Sequence, residues 1–340
     1  MTYTDPVDAD PQSGAGTAPV VTFTANPSMD KTLLLGGPLA RGEVQRVASA
    51  TEQAAGKGVN VARVVAESGV GCTAVLPFGD DAYLAALNAA RPGLMAVSAP
   101  AIRHRPRTNT TVTEPDGVTT KLNEPGPTLD ASDLEAASAQ LVAAAAGAKW
   151  VALSGSLPPG APDSWYADLV VALKASGCKI AVDTSDAALD AVIAGLPASS
   201  FDLIKPNSDE LAQLTGGDAA AFEADAARGE VAAIVAAAAQ LRDRGITNVL
   251  VTLGGSGAVL VNAEGAWHAT APKIAVRSTV GAGDSSVAGF ILADVAGKPA
   301  EECLASAVRY GSAAASLPGT TLPTPSDLPA GDVVITRLDS

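Results

Sequence analysis

In "TVGAGDSS", residues 279–286, two glycines leave the backbone bare and a single acid, Asp284, follows them directly. The stretch lies between an extended run, 273–280, and a helical one, 286–295. The first amides of a helix have no partner within the helix, and its dipole favours negative charge, so anions bind there. Gly281 and Gly283, with Ala282 between them, can fold into a nest of amides for a phosphoryl group, beside which Asp284 would act as a base. A second reading makes Asp284 the helix cap and the glycines a turn; the motif by itself leaves both open.

Other stretches offer matching chemistry. "NPSMD" ends in Asp30, able to grip sugar hydroxyls or to stand in a solvated turn. "AGKGVN" brings Gly56, Lys57 and Asn60 together at a helix start. "RTN" carries Arg107, a cation suited to phosphate, and Asn109. "KPNSDE" follows a strand with Lys205 and sets Asn207 and Glu210 three apart, a spacing that could hold Mg²⁺ through oxygens or waters. "TLGGSGA" is a glycine loop at a strand end, where Thr252, Gly254 and Gly257 let a nucleotide approach the backbone. Several chemistries are excluded. A P-loop is absent, since no glycine stands five residues before Gly56 and Lys57 is followed by Gly58 rather than Ser or Thr, and the first strand is not followed by G-x-G-x-x-G. No G-x-S-x-G elbow occurs, and His104 and His268 have no obvious partners for a catalytic triad.

These residues need elements to position them. Apolar runs at 20–25, 72–76, 150–154, 179–183, 202–205 and 248–253 alternate with helical stretches such as 58–68. That alternation predicts an α/β fold with a mostly parallel sheet covered by helices on both faces. Two segments break it. Residues 107–113 and 118–122 flank "PDG" as a hairpin, and 32–35 with 44–47 read as a second strand pair. Threonine-rich and polar on both faces, they predict a small β-sheet lid over a site, with segments at about 31–47 and 107–123. Residues 1–19 are polar, rich in Pro and Gly, and read as a disordered tail ahead of one domain over 20–340.

Bulk properties narrow the partners. A net charge of −14 over 340 residues argues against nucleic acid and anionic membrane, though not against small anions met by local cations. Cys72, Cys178 and Cys303 fit neither a disulfide framework nor a zinc site, and no apolar run is long enough to span a membrane, so a cytoplasmic location is expected.

Taken in order, "GKGVN", "SGSLPPG" (154–160), "VDTS" (182–185), "KPNSDE" and "VGAGDS" resemble the PfkB (ribokinase-like) family of carbohydrate kinases, from about Val20 to about Pro325. The resemblance implies a three-layer α/β/α domain, ATP and Mg²⁺ as cofactors, and Asp284 as the base, with amides of Gly281, Ala282 and Gly283 as the anion hole. It places Asp30, Gly56, Lys57, Asn60, Arg107 and Asn109 at a sugar phosphate. Lys205, Asn207, Glu210, Thr252, Gly254 and Gly257 fall to ATP, with Asn207 and Glu210 on the metal side. The lid implies a homodimer. "TANPSMD" and "RTNTTVTEPDGVTTKLNEPGP" (107–127) resemble the members acting on ketohexose phosphates, fructose 1-phosphate first, then tagatose 6-phosphate or fructose 6-phosphate. A non-catalytic sugar-binding regulator is the other class weighed; it would be expected to have lost one of these groups. Ala55 and Asp186 depart from the family pattern, each standing where glycine is usual.

Overall fold

Short β-branched runs with no polar face become strands buried on both sides. The computed structural model describes residues 18–98, 103–331 and 333–338, so the tail expected over 1–19 lies almost wholly outside the described residues. The chain opens with β1 (Val20–Thr24), β2 (Ser28–Leu35), β3 (Val47–Ala55), α1 (Lys57–Glu67), β4 (Cys72–Val75), α2 (Asp81–Ala89) and β5 (Met95–Ser98). It continues with β6 (Arg107–Thr113), β7 (Thr119–Asn123), α3 (Ala131–Ala144), β8 (Trp150–Ser154), α4 (Trp165–Leu173), β9 (Lys179–Asp183) and α5 (Asp186–Ala194). Then come β10 (Phe201–Ile204), α6 (Ser208–Thr215), α7 (Ala219–Ala227), α8 (Ala232–Asp243) and β11 (Ile246–Thr252). The chain closes with β12 (Ala258–Asn262), β13 (Gly265–Ala269), α9 (Ala282–Val295), α10 (Ala300–Ser316) and β14 (Ile335–Leu338).

Among the described residues one sheet has ten strands in the order β14-β13-β12-β11-β10-β9-β8-β1-β4-β5. It is parallel from β11 to β5 and antiparallel at the β12–β14 edge. Side chains alternate across it. Val21, Phe23 and Val151 face α3, α4 and α5, whereas Val20, Trp150 and Ala152 face α1, α9 and α10. This is the three-layer α/β/α arrangement, with a core on each side. Loops leaving the carboxyl ends of the parallel strands gather at one edge, where open α/β sheets bind ligands.

The small sheet expected as a lid has four strands among the described residues, in the order β3-β2-β6-β7. The hairpin forms as expected, turning through Gly117 at φ 91°. The other pair differs from the sequence reading: 44–47 is almost entirely loop, and the strand runs instead over Val47–Ala55, so this lid segment is 28–55 rather than 31–47. "VASATEQAA" has no alternating apolar pattern, and it is held extended by its ladder with β2 from Ser28↔Ala55 to Leu35↔Val47. Pairing overrides local preference there. A second correction concerns α9, which starts at Ala282 rather than 286, while 273–279 joins no sheet. Its first turn is "AGDSS", small residues that carry little helical signal.

Candidate active site

The early start of α9 decides what Asp284 is. The N-cap is Gly281, at φ 75°, and no side chain caps this helix. Asp284 sits in the first turn with 6% of its surface exposed and accepts a 2.8 Å hydrogen bond from Asn60 Nδ2. The helix-cap reading therefore falls. Burial raises the Asp284 carboxyl; Lys57 opposes this, Asp183 adds to it, and Asn60 and Lys205 oppose it, leaving the group pushed up to about 6. A carboxylate poised there can take a proton near neutral pH. The amides of Gly281 and Gly283 donate to nothing among the described residues, so they are free for an anion.

Glycine at 56 and 58 brings Lys57 and Asn60 to this acid. A Cβ on Gly56, at φ 139°, would lie 2.4 Å from Thr24 Cγ2, and one on Gly58 would lie 2.8 Å from the Phe23 carbonyl oxygen. Without side chains at either position, the start of α1 lies directly on the end of β1. Lys57 Nζ reaches Asp183 Oδ2 at 3.3 Å, and Lys205 Nζ reaches Asp183 Oδ1 at 3.4 Å. Burial works against ionisation of Asp183, but Lys205 and Lys57 overcome it and hold the carboxyl below its usual range. Asp183 in turn is the main cause that raises Lys57 above the ordinary lysine range.

On the far side of Gly283 a cavity of about 1180 Å³ is lined by Lys205, Asn207, Thr252, Gly254, Gly257, Ala282 and Gly283, among others. Gly257 is irreplaceable there: at φ 97°, a Cβ would lie 1.9 Å from the Ala269 carbonyl oxygen. Asn207 caps α6 and forms a reciprocal box with Glu210: its Oδ1 accepts from the Glu210 amide at 2.8 Å, and its own amide donates to Glu210 Oε2 at 3.0 Å. Among the described residues Glu210 Oε1 has no partner, enough for a hydrated Mg²⁺ that keeps its waters. Among the described residues no three His, Cys, Asp or Glu side chains cluster as a metal site, so a metal here would depend on water and phosphate oxygens.

The lid contributes the other set. Asp30 and Asn109 face each other across β2 and β6, with Asn109 Nδ2 donating to Asp30 Oδ1 at 3.1 Å and Ser28 Oγ donating to it at 2.8 Å. Arg107 lines a smaller hollow of about 230 Å³ with Arg105 and Glu124, and its buried Nε has no partner among the described residues. Lys57 thus pairs with Asp183, while Arg107 stands at the start of β6 in the small sheet. Of the two departures, Ala55 is buried and its carbonyl accepts from Tyr83, whereas Asp186 takes φ 56°, the left-handed region where glycine is favoured.

Asp183 was not among the residues singled out from sequence. Its signal was available: an acid closing a strand whose end belongs to the ligand-binding edge. Arg63, 5% exposed in α1 with all three guanidinium nitrogens unpartnered among the described residues, was missed too; a lone arginine inside a helical run offers no local sign of burial.

A parallel sheet carrying a glycine-rich anion loop, a nucleotide-sized cavity and a standing β lid at one edge defines a ribokinase-like sugar kinase. The pfkB family carbohydrate kinase model matches residues 27–327, and the chain belongs to that family of phosphotransferases. It is 35% identical over 314 residues to the 1-phosphofructokinase of Rhodobacter capsulatus, covering 92% of this chain and 95% of that one. To the 1-phosphofructokinase of Escherichia coli K12 it is 33% identical over 299 residues, 87% and 91% of the two chains. Among solved structures, phosphofructokinase-2 from Escherichia coli in complex with fructose-6-phosphate superposes with a TM-score of 0.75 at 28% identity, covering 88% of this chain and 94% of that one. Among the described residues no helix is long and apolar enough to cross a membrane.

Proposed function

We propose that the protein transfers the γ-phosphoryl group of ATP to the free primary hydroxyl of fructose 1-phosphate, giving fructose 1,6-bisphosphate and ADP. The observation that carries this reading is Asp284: a buried carboxylate raised to about 6, directly following Gly283, which lines the cavity of about 1180 Å³ and whose amide has no partner among the described residues. The acceptor hydroxyl gives its proton to Asp284 Oδ as its oxygen attacks the γ-phosphorus, and the bridging oxygen leaves with ADP. Asn60 holds Asp284 at the required angle through its 2.8 Å bond. Charge gathering on the phosphoryl oxygens meets the free amides of Gly281 and Gly283, with Lys205 alongside, whereas the Ala282 amide is turned to the Thr279 carbonyl oxygen at 3.4 Å; positioning and charge neutralisation are most of what phosphoryl transfer needs. Mg²⁺, held through waters by Glu210 and Asn207, would supply further neutralisation of the ATP phosphates. Thr252, Gly254 and Gly257 line the nucleotide.

At the acceptor, Asp30 and Asn109 bind sugar hydroxyls, Lys57 lies between sugar and base with Gly56 giving it close access, and Arg107 takes the phosphate already on the sugar. The similarity to proteins named 1-phosphofructokinase favours fructose 1-phosphate. The structural neighbour seen with fructose-6-phosphate favours a second reading, in which that sugar is the acceptor. Coupled ADP release across fructose 1-phosphate, fructose 6-phosphate, tagatose 6-phosphate and ribose separates them: the highest kcat/KM belongs with fructose 1-phosphate, and faster turnover of ribose refutes a phosphosugar substrate. The enzyme works as a cytoplasmic homodimer joined through the lid, whose β3 and β7 edges are open and whose Leu34 and Leu122 are exposed.

A further inference from the structure

Among the described residues Asp183 and Asp284 are the two acids with less than a tenth of their surface exposed, and the reaction as derived uses one of them. Asp183 closes β9, and each of its oxygens meets a different ammonium: Lys57 from the first turn of α1 and Lys205 from the end of β10. The two lysines face opposite halves of the reaction. Lys57, with 41% of its side chain exposed, opens toward the acceptor; Lys205 lies against the anion loop, its Nζ 3.1 Å from where a Cβ on Gly283 would stand.

We propose that Asp183 is a positioning residue, one carboxylate that aims Lys57 at the sugar and Lys205 at the nucleotide phosphates, so that donor and acceptor are registered by a shared anion. At 3.3–3.4 Å the contacts hold by charge rather than as short hydrogen bonds, and each ammonium keeps protons for ligand oxygens. Asp183 does not itself take the acceptor proton, because a lysine ammonium occupies each of its oxygens. The groups that act on it electrostatically are Lys57, Lys205, Asp284 and Tyr166; with both acids ionised, the two positive and two negative charges cancel. Without the Asp183 charge, Asp284 is the remaining buried carboxylate near both ammoniums, and each is drawn from its ligand toward the base.

The inference rests on the kinase reading above, and the test keeps the two separable. Calorimetric titration of the full-length wild type, Asp183→Asn, Asp183→Glu, Lys57→Met and Lys205→Met uses ATP and, separately, fructose 1-phosphate. Asp183→Asn should weaken both ligands, roughly tenfold each, as expected for loss of one charge-assisted contact per ligand. Lys57→Met should weaken the sugar alone and Lys205→Met ATP alone. In double variants Asp183→Asn should add little to either lysine change for its own ligand. Weakening of one ligand or neither, or additive effects, overturns the proposal. So does a loss of ATP affinity that appears with Mg²⁺ and vanishes in EDTA, since the acid would then act through the metal. Should Asp183→Asn not fold, Asp183→Glu decides: it keeps the charge but displaces it by a methylene, and both affinities must fall together. A wild type that binds no ketohexose phosphate refutes the substrate reading instead, and the acceptor titration is then decided with ribose.

Discussion

Replacing Asp284 by Asn removes a charge and little else, because the amide oxygen can still accept from Asn60 Nδ2, 2.8 Å from Asp284 Oδ2 in the wild type. Loss of a general base lowers kcat by roughly 10²–10⁴, or about 3–5 kcal/mol of barrier. Stability should move the other way. The carboxyl titrates near 6 in the folded chain against 3.8 for the free side chain, so the native state holds its proton more tightly than the unfolded state does. That contribution is complete below 3.8 and is lost as pH rises through 6, about two units or about 2–3 kcal/mol. The Asn variant has nothing to lose. It should match the wild type near pH 4 and melt above it at pH 7, while turning over far more slowly. Wild-type kcat/KM should climb about tenfold per pH unit below 6 and level above it. Melting curves at pH 4 and 7 and steady-state rates across pH 5–8 give all three. An Asn variant within tenfold of wild-type kcat, or a wild-type rate without an acid limb near 6, refutes Asp284 as the base.

Arg107→Ala should lower kcat/KM for the phosphosugar about 10- to 100-fold, the scale of one charge-assisted phosphate contact, and leave KM for ATP nearly unchanged in the same assay. Glu210→Gln keeps an oxygen for the Asn207 amide, so the melting temperature should hold while the Mg²⁺ needed for half-maximal rate rises; superimposable Mg²⁺ titrations would remove Glu210 from the metal side. At Asp186, held at φ 56°, Gly should be more stable than Ala by about 1 kcal/mol in urea unfolding, and equal stability would mean that the backbone there relaxes. Leu122→Asp places a charge on a residue 60% exposed in the small sheet, and light scattering should report a dimer for the wild type and a monomer for the variant.

What could be read from the chain, and what could not, follows the range of the forces involved. Strands such as "VVTFT" and "WVALS" are buried on both faces, so their own composition announces them. Gly56 and Gly58 of "AGKGVN" and Gly257 of "TLGGSGA" mark places where a Cβ would strike a neighbouring strand, a local demand that leaves a local trace. The β3 strand left none: its nine residues are mostly exposed, and β2 alone keeps them extended. The acids make the same point more sharply. "GAGDSS" left cap and base open, because the start of α9 at Ala282 and the bond from Asn60, 224 residues away in the chain, are set by the fold. "VDTS" drew notice only as a motif, because the Asp183 partners Lys57 and Lys205 lie on two other elements. A carboxylate's burial and counter-charges are set by tertiary neighbours, and its proton affinity follows from those. Residue type and spacing therefore located the carboxyl edge of the sheet, while the unlike surroundings of its two buried acids emerged only when Lys57, Asn60 and Lys205 were brought to them.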